Sequence, residues 1–299
     1  MCSSDLEVLF PYLNGEDLNQ RPDASASRWV IDFNDRPETE AARFTLPYAR
    51  VLEQVKPERD KLLGRNPTAT DRARNWWKYG RRSPAMRKAI AELSEVLVIA
   101  RVSKTVMPVR VPTGQVFHEK VVVFATDSYA TQAILSSSFH QLWAIKYGTT
   151  MRTDSTYTPD IVFCSLPRPL SASHLTSLGR TLDTERSGIM NRRNLGLTKL
   201  YNRVNDSADR GSKDIERLRE IHVEIDEATM ASYGWDDVHL GHGFHSYRQV
   251  QRWMVSPAAR TEILDRLLIE NHRRADEEPK GRLSGRGHGS LFDEHTLFG

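Results

Sequence analysis

Two stretches of the chain crowd hydrogen-bonding side chains at spacings that suit contact with a planar, polar edge. In the first, Arg101, Ser103 and Thr105 fall at alternate positions after an apolar run, so a strand that continued through them would present all three on one face. The second, Thr149-Thr150-Met151-Arg152-Thr153-Asp154-Ser155-Thr156-Tyr157-Thr158, has almost no aliphatic side chains. A core has no use for such a run, whereas a surface facing base edges does: an Arg donates two bonds to guanine and an Asp accepts one from cytosine. A third stretch, Arg72-Ala73-Arg74-Asn75-Trp76-Trp77-Lys78-Tyr79-Gly80-Arg81-Arg82, interleaves rings with cations. Rings stack on sugars or bases while guanidinium groups hold phosphates. The same run suits a helix end with Trp76 or Trp77 in a core and the cations extended outward. Both descriptions are expected to hold in part, with one tryptophan buried and the arginines available.

Other chemistries are less well supported. His239, His242 and His245 could converge on a metal, but zinc sites fix two ligands at one helical or turn spacing, and Gly241 and Gly243 point to a loop of special geometry. Asp265 with Glu278-Pro279-Lys280 mimics a nuclease carboxylate set, yet the proline sits inside the triplet at the edge of a Gly- and Ser-rich tail. No Gly-x-Gly-x-x-Gly, phosphate loop or Gly-x-Ser-x-Gly elbow occurs.

The elements that must position these residues lie around Val96 to Phe163. Val96-Leu97-Val98-Ile99-Ala100 is too short for a free helix and predicts a buried strand. Val109-Arg110-Val111 and Val121-Val122-Val123-Phe124, separated by the turn signal Pro112-Thr113-Gly114, complete a small antiparallel sheet. Ile134, Leu135, Phe139, Leu142 and Trp143 predict one helix over 128–147, ended by Gly148. Upstream, Arg28 to Phe33 alternates like a strand, Pro37 to Leu63 is helical with interruptions at Pro47 and Pro57, and Met86, Ala89, Ile90 and Leu93 mark a further helix. Leu166-Pro167-Arg168-Pro169 reads as a boundary. Beyond it come helices over 175–195 and 215–233, a connector over 197–203, and a last helix from Ser256-Pro257 to about Arg274. The expected class is α+β: a target-recognition region over 1–168, a mainly helical region over 169–278, and a disordered tail over 279–299.

With 299 residues, 39% of them apolar, the chain can bury a core in each region. Only Cys2 and Cys164 occur, no signal sequence opens the chain and no apolar run approaches the ~20 residues of a membrane span, so a cytoplasmic location is expected. The formal charge of +3 is unevenly spread: Arg50 to Ile90 holds 12 Lys and Arg against 4 Asp and Glu, a local +8 that leaves −5 elsewhere. Such concentration is the footprint of a surface facing phosphates, or equally of a solvated helix pair.

Several runs carry a family resemblance. Phe10-Pro11-Tyr12-Leu13-Asn14-Gly15-Glu16-Asp17-Leu18-Asn19, Arg28-Trp29-Val30-Ile31-Asp32-Phe33, Trp76-Trp77-Lys78-Tyr79-Gly80-Arg81-Arg82 and Arg101-Val102-Ser103-Lys104 resemble the target-recognition domain of MmeI-like proteins. Gly196-Leu197-Thr198-Lys199-Leu200-Tyr201-Asn202-Arg203, Leu218-Arg219-Glu220-Ile221-His222, Tyr233-Gly234-Trp235 and Leu240-Gly241-His242-Gly243-Phe244-His245 resemble the C-terminal domain that follows it. The likeness runs from about Val8 to Glu278. In that family these domains end a longer polypeptide that carries an S-adenosylmethionine-dependent adenine-N6 DNA methyltransferase and, in many members, a nuclease. The present chain departs from the pattern: the Asn-Pro-Pro-Tyr or Phe motif and the glycine-rich cofactor loop are absent, and Asn66-Pro67-Thr68 is no substitute.

The resemblance implies a sequence-specific double-stranded DNA recognition module, the specificity end of a restriction-modification or phage-defence methyltransferase. Base contacts are expected from Arg101, Ser103, Lys104, Arg152, Asp154 and Thr156, and phosphate contacts from Arg74, Lys78, Arg81 and Arg82. No catalytic residue and no metal ligand is assigned to this chain, and S-adenosylmethionine would belong to a missing or partner catalytic domain. The alternative is a fragment that binds no DNA and docks on a separate methyltransferase, as the abrupt start at Met1 suggests; a free-standing hydrolase using the histidines ranks behind both.

Overall fold

The computed structural model describes residues 3–80, 83–151, 154–247, 250–277 and 297–298. The run from Phe10 to Asn19 folds as a strand, a cap and a helix. After β1 (Leu9–Leu13), the Asn14 side chain accepts the backbone N–H groups of Glu16 at 2.7 Å and Asp17 at 3.1 Å, and Asp17 accepts the Asn14 N–H, a capping box that starts α1 (Gly15–Gln20). β2 (Arg28–Ile31) pairs antiparallel with β1. The helical stretch that follows is divided into α2 (Glu38–Ala41), α3 (Thr45–Gln54) and α4 (Lys56–Asp60), followed by α5 (Pro67–Arg74) and α6 (Pro84–Ala89). Pro47 and Pro57 sit in the first turns of α3 and α4, where a missing N–H removes no helical bond. Phe33, Phe44, Val51 and Trp76 form the small core of this layer. Fully buried Asp32 accepts the Asn34 N–H at 2.8 Å and pairs with Arg87, tying the end of β2 to α6.

The central sheet follows. β3 (Glu95–Ala100) pairs antiparallel with β5 (Val109–Pro112) through Val96↔Val111 and with β7 (Val121–Phe124) through Val98↔Val123. Alternation sends Val96, Val98, Val109, Val121 and Val123 into one core and Leu97, Ile99, Val122 and Phe124 into another. Both faces are therefore covered, which is why β3 is apolar throughout. The strand does not continue to Thr105. It ends at Ala100, the chain bends at Arg101, and Val102–Ser103 forms β4 in a different sheet. The short β6 (Val116–Phe117) runs parallel to β1.

The helix expected over 128–147 is two, α7 (Tyr129–Ser136) and α8 (Ser138–Tyr147). The serines between them divert the backbone: Ser136 and Ser137 hydroxyls donate to the Gln132 and Ile134 carbonyls, each at 2.7 Å, and extended Ser137 caps α8. Gly148 ends α8 with an extended backbone rather than a left-handed one; a Cβ there would lie 2.4 Å from the Ala144 carbonyl oxygen. β8 (Thr149–Met151), β9 (Asp154–Thr156) and α9 (Pro159–Val162) follow.

Leu166-Pro167-Arg168-Pro169 has no helix or strand but is buried, with the Arg168 guanidinium 4.0 Å from the Phe163 ring. Beyond it lie α10 (Thr176–Arg193), α11 (Leu197–Val204) and α12 (Lys213–Ser232), then the hairpin β10 (Gly243–Tyr247) and β11 (Val250–Met254), and α13 (Pro257–Glu277). The expected connector over 197–203 is the amphipathic α11, with Leu197, Leu200, Tyr201 and Val204 buried on one face. Arg219 on α12 holds its end, donating to the carbonyls of Val204 at 3.0 Å, Arg203 at 3.2 Å and Asp206 at 2.9 Å. One core combines Val98 and Val123 with Leu182, Leu200 and Ile221; the other combines Ile99 and Phe124 with Phe139, Ile263 and Leu267. Both thus draw on residues from either side of Arg168. Of the tail, Leu297–Phe298 forms β12 on the outer edge of β7, while 278–296, including Glu278-Pro279-Lys280, lie outside the described residues. The class is α+β, and no described helix is long and apolar enough to cross a membrane.

Candidate nucleic-acid interface

The two polar stretches, some fifty residues apart in sequence, meet in one three-stranded sheet, β4-β9-β8. β9 lies at its centre, with Val102↔Thr156 and Ser103↔Ser155 on one side and Thr149↔Thr156 and Met151↔Asp154 on the other. Arg101 is the joint to the central sheet: its N–H donates to the Lys120 carbonyl and its carbonyl accepts the Tyr157 N–H, both at 2.7 Å. Its Nε is buried without a hydrogen-bond partner among the described residues. Lys104 is exposed. Ser103 is 7% exposed; its hydroxyl donates to Asn19 Oδ1 and accepts the Thr105 N–H, each at 3.1 Å. Thr156 is half-buried, with an unpartnered hydroxyl. Asp154 falls on β9 at the hairpin end, and Arg152 lies outside the described residues.

A buried pair supports this sheet from below. Tyr157, at 2% exposure, lies 2.9 Å from His140 Nε2, and His140 Nδ1 lies 2.6 Å from the Leu135 carbonyl oxygen. A carbonyl only accepts, so Nδ1 carries the proton and Nε2 accepts from the tyrosine. Burial pushes His140 down to about 4 and Tyr157 well above its ordinary value, so both are neutral at pH 7.

The basic-aromatic stretch is divided as its pattern suggests. Trp76 is buried; Trp77 is half-buried, its Nε1 donating to the Arg36 carbonyl at 3.0 Å, and Lys78 Nζ lies 5.8 Å from the Trp77 ring. Arg74 is exposed at the end of α5; Arg81 and Arg82 lie outside the described residues. Arg59 and Arg72 make no ion pair among the described residues, and Arg59 is pushed below its ordinary range by burial and then by the Arg72 charge. Not every cation of the region is available: Lys56 pairs with Asp60 at 2.8 Å, Lys61 with Glu58 at 2.6 Å, and Arg87 with Asp32.

The sequence profile of the MmeI target recognition domain matches residues 6–170, more than half of the chain. The chain belongs to this family. The MmeI-type region thus contains the central sheet, the basic layer and the β4-β9-β8 sheet. Among solved structures, the chain is similar to the type IIL restriction-modification enzyme MmeI in complex with DNA, at 15% identity and a TM-score of 0.64, over 91% of this chain and 32% of that one. It therefore spans about a third of that chain's length. No curated protein sequence matches it.

Beyond the MmeI-type region, α8, α11, α12 and the β10–β11 hairpin enclose a cleft of about 790 Å³ beside Lys104. Its floor is a polar network: Asp226 accepts the Ser138 N–H and hydroxyl, each at 2.6 Å, and His242 Nε2 at 2.8 Å, while Tyr201 and His222 Nε2 lie 2.9 Å apart. Burial pushes His222 down to about 4, against the opposing pull of Asp226. The histidines weighed as ligands do not converge: His242 faces Asp226, His245 Nε2 bonds the Gly241 carbonyl at 2.9 Å, and Gly241 is left-handed at φ 55°. Among the described residues no group of three His, Cys, Asp or Glu is placed to hold a metal. Asp226, His222 and Arg252 escaped the sequence; the sole signal was their place in or near the runs from Leu218 to His222 and Leu240 to His245.

Proposed function

We propose that this chain is a sequence-specific double-stranded DNA recognition module, the specificity end of an adenine-N6 DNA methyltransferase of a cytoplasmic restriction-modification or phage-defence system. The observation that carries this proposal is the meeting, in one small sheet of a target-recognition family member, of two polar stretches distant in sequence. Arg101, Lys104, Arg152, Asp154 and Thr156 would read base edges in the major groove; Ser103, whose hydroxyl is held inside, would have to give up its bond to Asn19 to do so. Arg74, Lys78, Arg81 and Arg82 would fix the duplex through phosphates, sequence-independently. The DNA-bound relative supports the fold of this reading rather than its contacts.

Catalysis would come from a methyltransferase domain or subunit that holds S-adenosylmethionine. The residues present do not suit that cofactor: Asn66, of the sole Asn-Pro pair, accepts the Ala69 N–H at 2.8 Å and serves as the cap of α5. Incubated alone with DNA and labelled S-adenosylmethionine, the chain should transfer no methyl group; transfer above an enzyme-free control would refute this. Exposed Leu6, Trp29 and Leu46, at 58%, 68% and 57%, favour the N-terminal layer as the surface that meets the catalytic partner.

The deciding experiment is a binding selection on randomised duplexes with wild type, Arg152→Ala and Asp154→Ala, beside melting curves. Each variant should relax the preference at one base pair, a loss of ~1–3 kcal/mol of discrimination, with little change in melting. Identical preferences in all three proteins would remove the hairpin from the reading surface.

A further inference from the structure

The mouth of the cleft beside the β4-β9-β8 sheet brings together two cations from opposite ends of the chain. Lys104 directly follows β4 and is exposed; Arg252 lies on β11, half-buried, and its Nη1 donates to the Lys104 carbonyl at 3.4 Å. The residue across the hairpin from Arg252 is His245, whose Nε2 is engaged by the Gly241 carbonyl at 2.9 Å. Neither Lys104 nor Arg252 forms an ion pair among the described residues, and Asp226, the acid of the cleft, is already surrounded by Ser138 and His242.

Other half-buried arginines of this chain are compensated. Arg193 meets Asp214 at 3.0 Å and Arg203 meets Asp209 at 2.6 Å. Arg252 is not: burial alone lowers it from its ordinary range, with no neighbouring charge acting on it. Withdrawing a guanidinium from water costs several kcal/mol unless an anion or several acceptors offset it, and one long bond to a carbonyl is a poor offset. A guanidinium held this way, with its remaining donors unengaged beside an ammonium, is complementary to a phosphate oxygen pair.

We propose that Arg252, oriented by the Lys104 carbonyl and flanked by the Lys104 ammonium, binds one backbone phosphate of the duplex that lies on the β4-β9-β8 sheet. The region beyond the target-recognition domain then grips DNA directly, and the hairpin and the reading sheet hold the duplex from two sides. This rests on the DNA-recognition function proposed above.

The test uses the full chain as wild type, Arg252→Gln and Arg252→Lys, with binding of the selected duplex and of a scrambled one followed by anisotropy across a salt series. Removing one phosphate contact should make the slope of log affinity against log salt shallower by ~0.9 and weaken both duplexes alike, about eightfold near 0.1 M salt. Arg252→Lys should keep the slope, which separates charge from packing if Arg252→Gln is less stable. A wild-type slope in Arg252→Gln overturns the proposal. Should wild type bind no duplex at all, the function proposed above fails instead, and a second arm becomes decisive. Inorganic phosphate titrated against the Trp253 indole N–H resonance, adjacent to Arg252, then distinguishes a site for free phosphate from none; either result without duplex binding overturns the assignment to DNA.

Discussion

Mild acid should destabilise this protein by an amount that two buried imidazoles set. His140 and His222 are both pushed down to about 4 by burial, although Asp226 pulls His222 the other way. In the unfolded chain each would titrate near ~6.5. Between those values the unfolded chain takes up protons that the folded one refuses, so stability is full above about pH 6.5 and falls as the pH drops toward about 4. For a shift of this size the loss is about 2 kcal/mol per histidine at pH 5, together about 4 kcal/mol out of the ~5–15 kcal/mol typical of a folded domain. Urea unfolding at about pH 7.5 and about pH 5, on wild type and His140→Gln, isolates one term, because the carboxylates and the other histidines cancel in the difference. Glutamine can donate to the Leu135 carbonyl and accept from Tyr157, keeping the bonds but not the titration. The variant should lose about 2 kcal/mol less than wild type across that range. Equal losses in the two proteins would refute the assignment of a neutral, proton-refusing His140.

Two further outcomes follow from packing. Gly179→Ala places a Cβ 1.9 Å from the Tyr129 carbonyl oxygen, a backbone atom that cannot swing aside, so α10 must move off α7 and the melting temperature should fall, at a cost of ~1–3 kcal/mol or more. A chain ending at Arg168 should lack a cooperative thermal transition by circular dichroism, because Leu182, Leu200, Ile221, Ile263 and Leu267 complete the two cores on either side of the central sheet; a sharp transition would mean that the target-recognition region folds alone.

The sequence announces what periodicity encodes. β3, β5 and β7 are legible because β-branched runs between turn signals have few other uses, and α12 because its apolar side chains recur at helical spacing up to left-handed Gly234. The division of Trp76 from Trp77 is legible for the same reason. What fails is where local bonds compete with the pattern. The three serines at 136–138 split a helix whose apolar stripe runs straight through, and α11 passes for a connector because its polar residues mask four buried ones. The candidate site is half legible. Its residue types stand out, but the bend at Arg101 that brings β4 beside β9 is a tertiary event, fixed by the Lys120 carbonyl and the Tyr157 N–H. Arg252 cannot be found from sequence at all, since its meaning lies in the absence of an acid beside it in space.

Ser103 shows how far a residue's type can mislead about its role. Its place beside Arg101 and Lys104 suggests a base contact, yet its hydroxyl joins Asn19 at the end of α1 to the backbone of Thr105. Asn19 belongs to the helix that the Asn14 capping box starts, and α1 in turn is pressed against Gly196, whose Cβ would lie 2.3 Å from Gln20 backbone atoms. A chain of contacts thus runs from α11 through α1 to β4, and Ser103 is its last link. Ser103→Ala should therefore cost ~1–3 kcal/mol, as two polar groups lose their partner, while the selected DNA sequence stays the same and the affinity falls for all duplexes. Arg101→Ala should do the reverse, blurring one position of the preference. Melting curves and duplex selection on both variants separate the roles. A lost base preference in Ser103→Ala with unchanged melting would mean that the hydroxyl leaves Asn19 for DNA, and that β4 is held in place by its pairing with β9 rather than by α1.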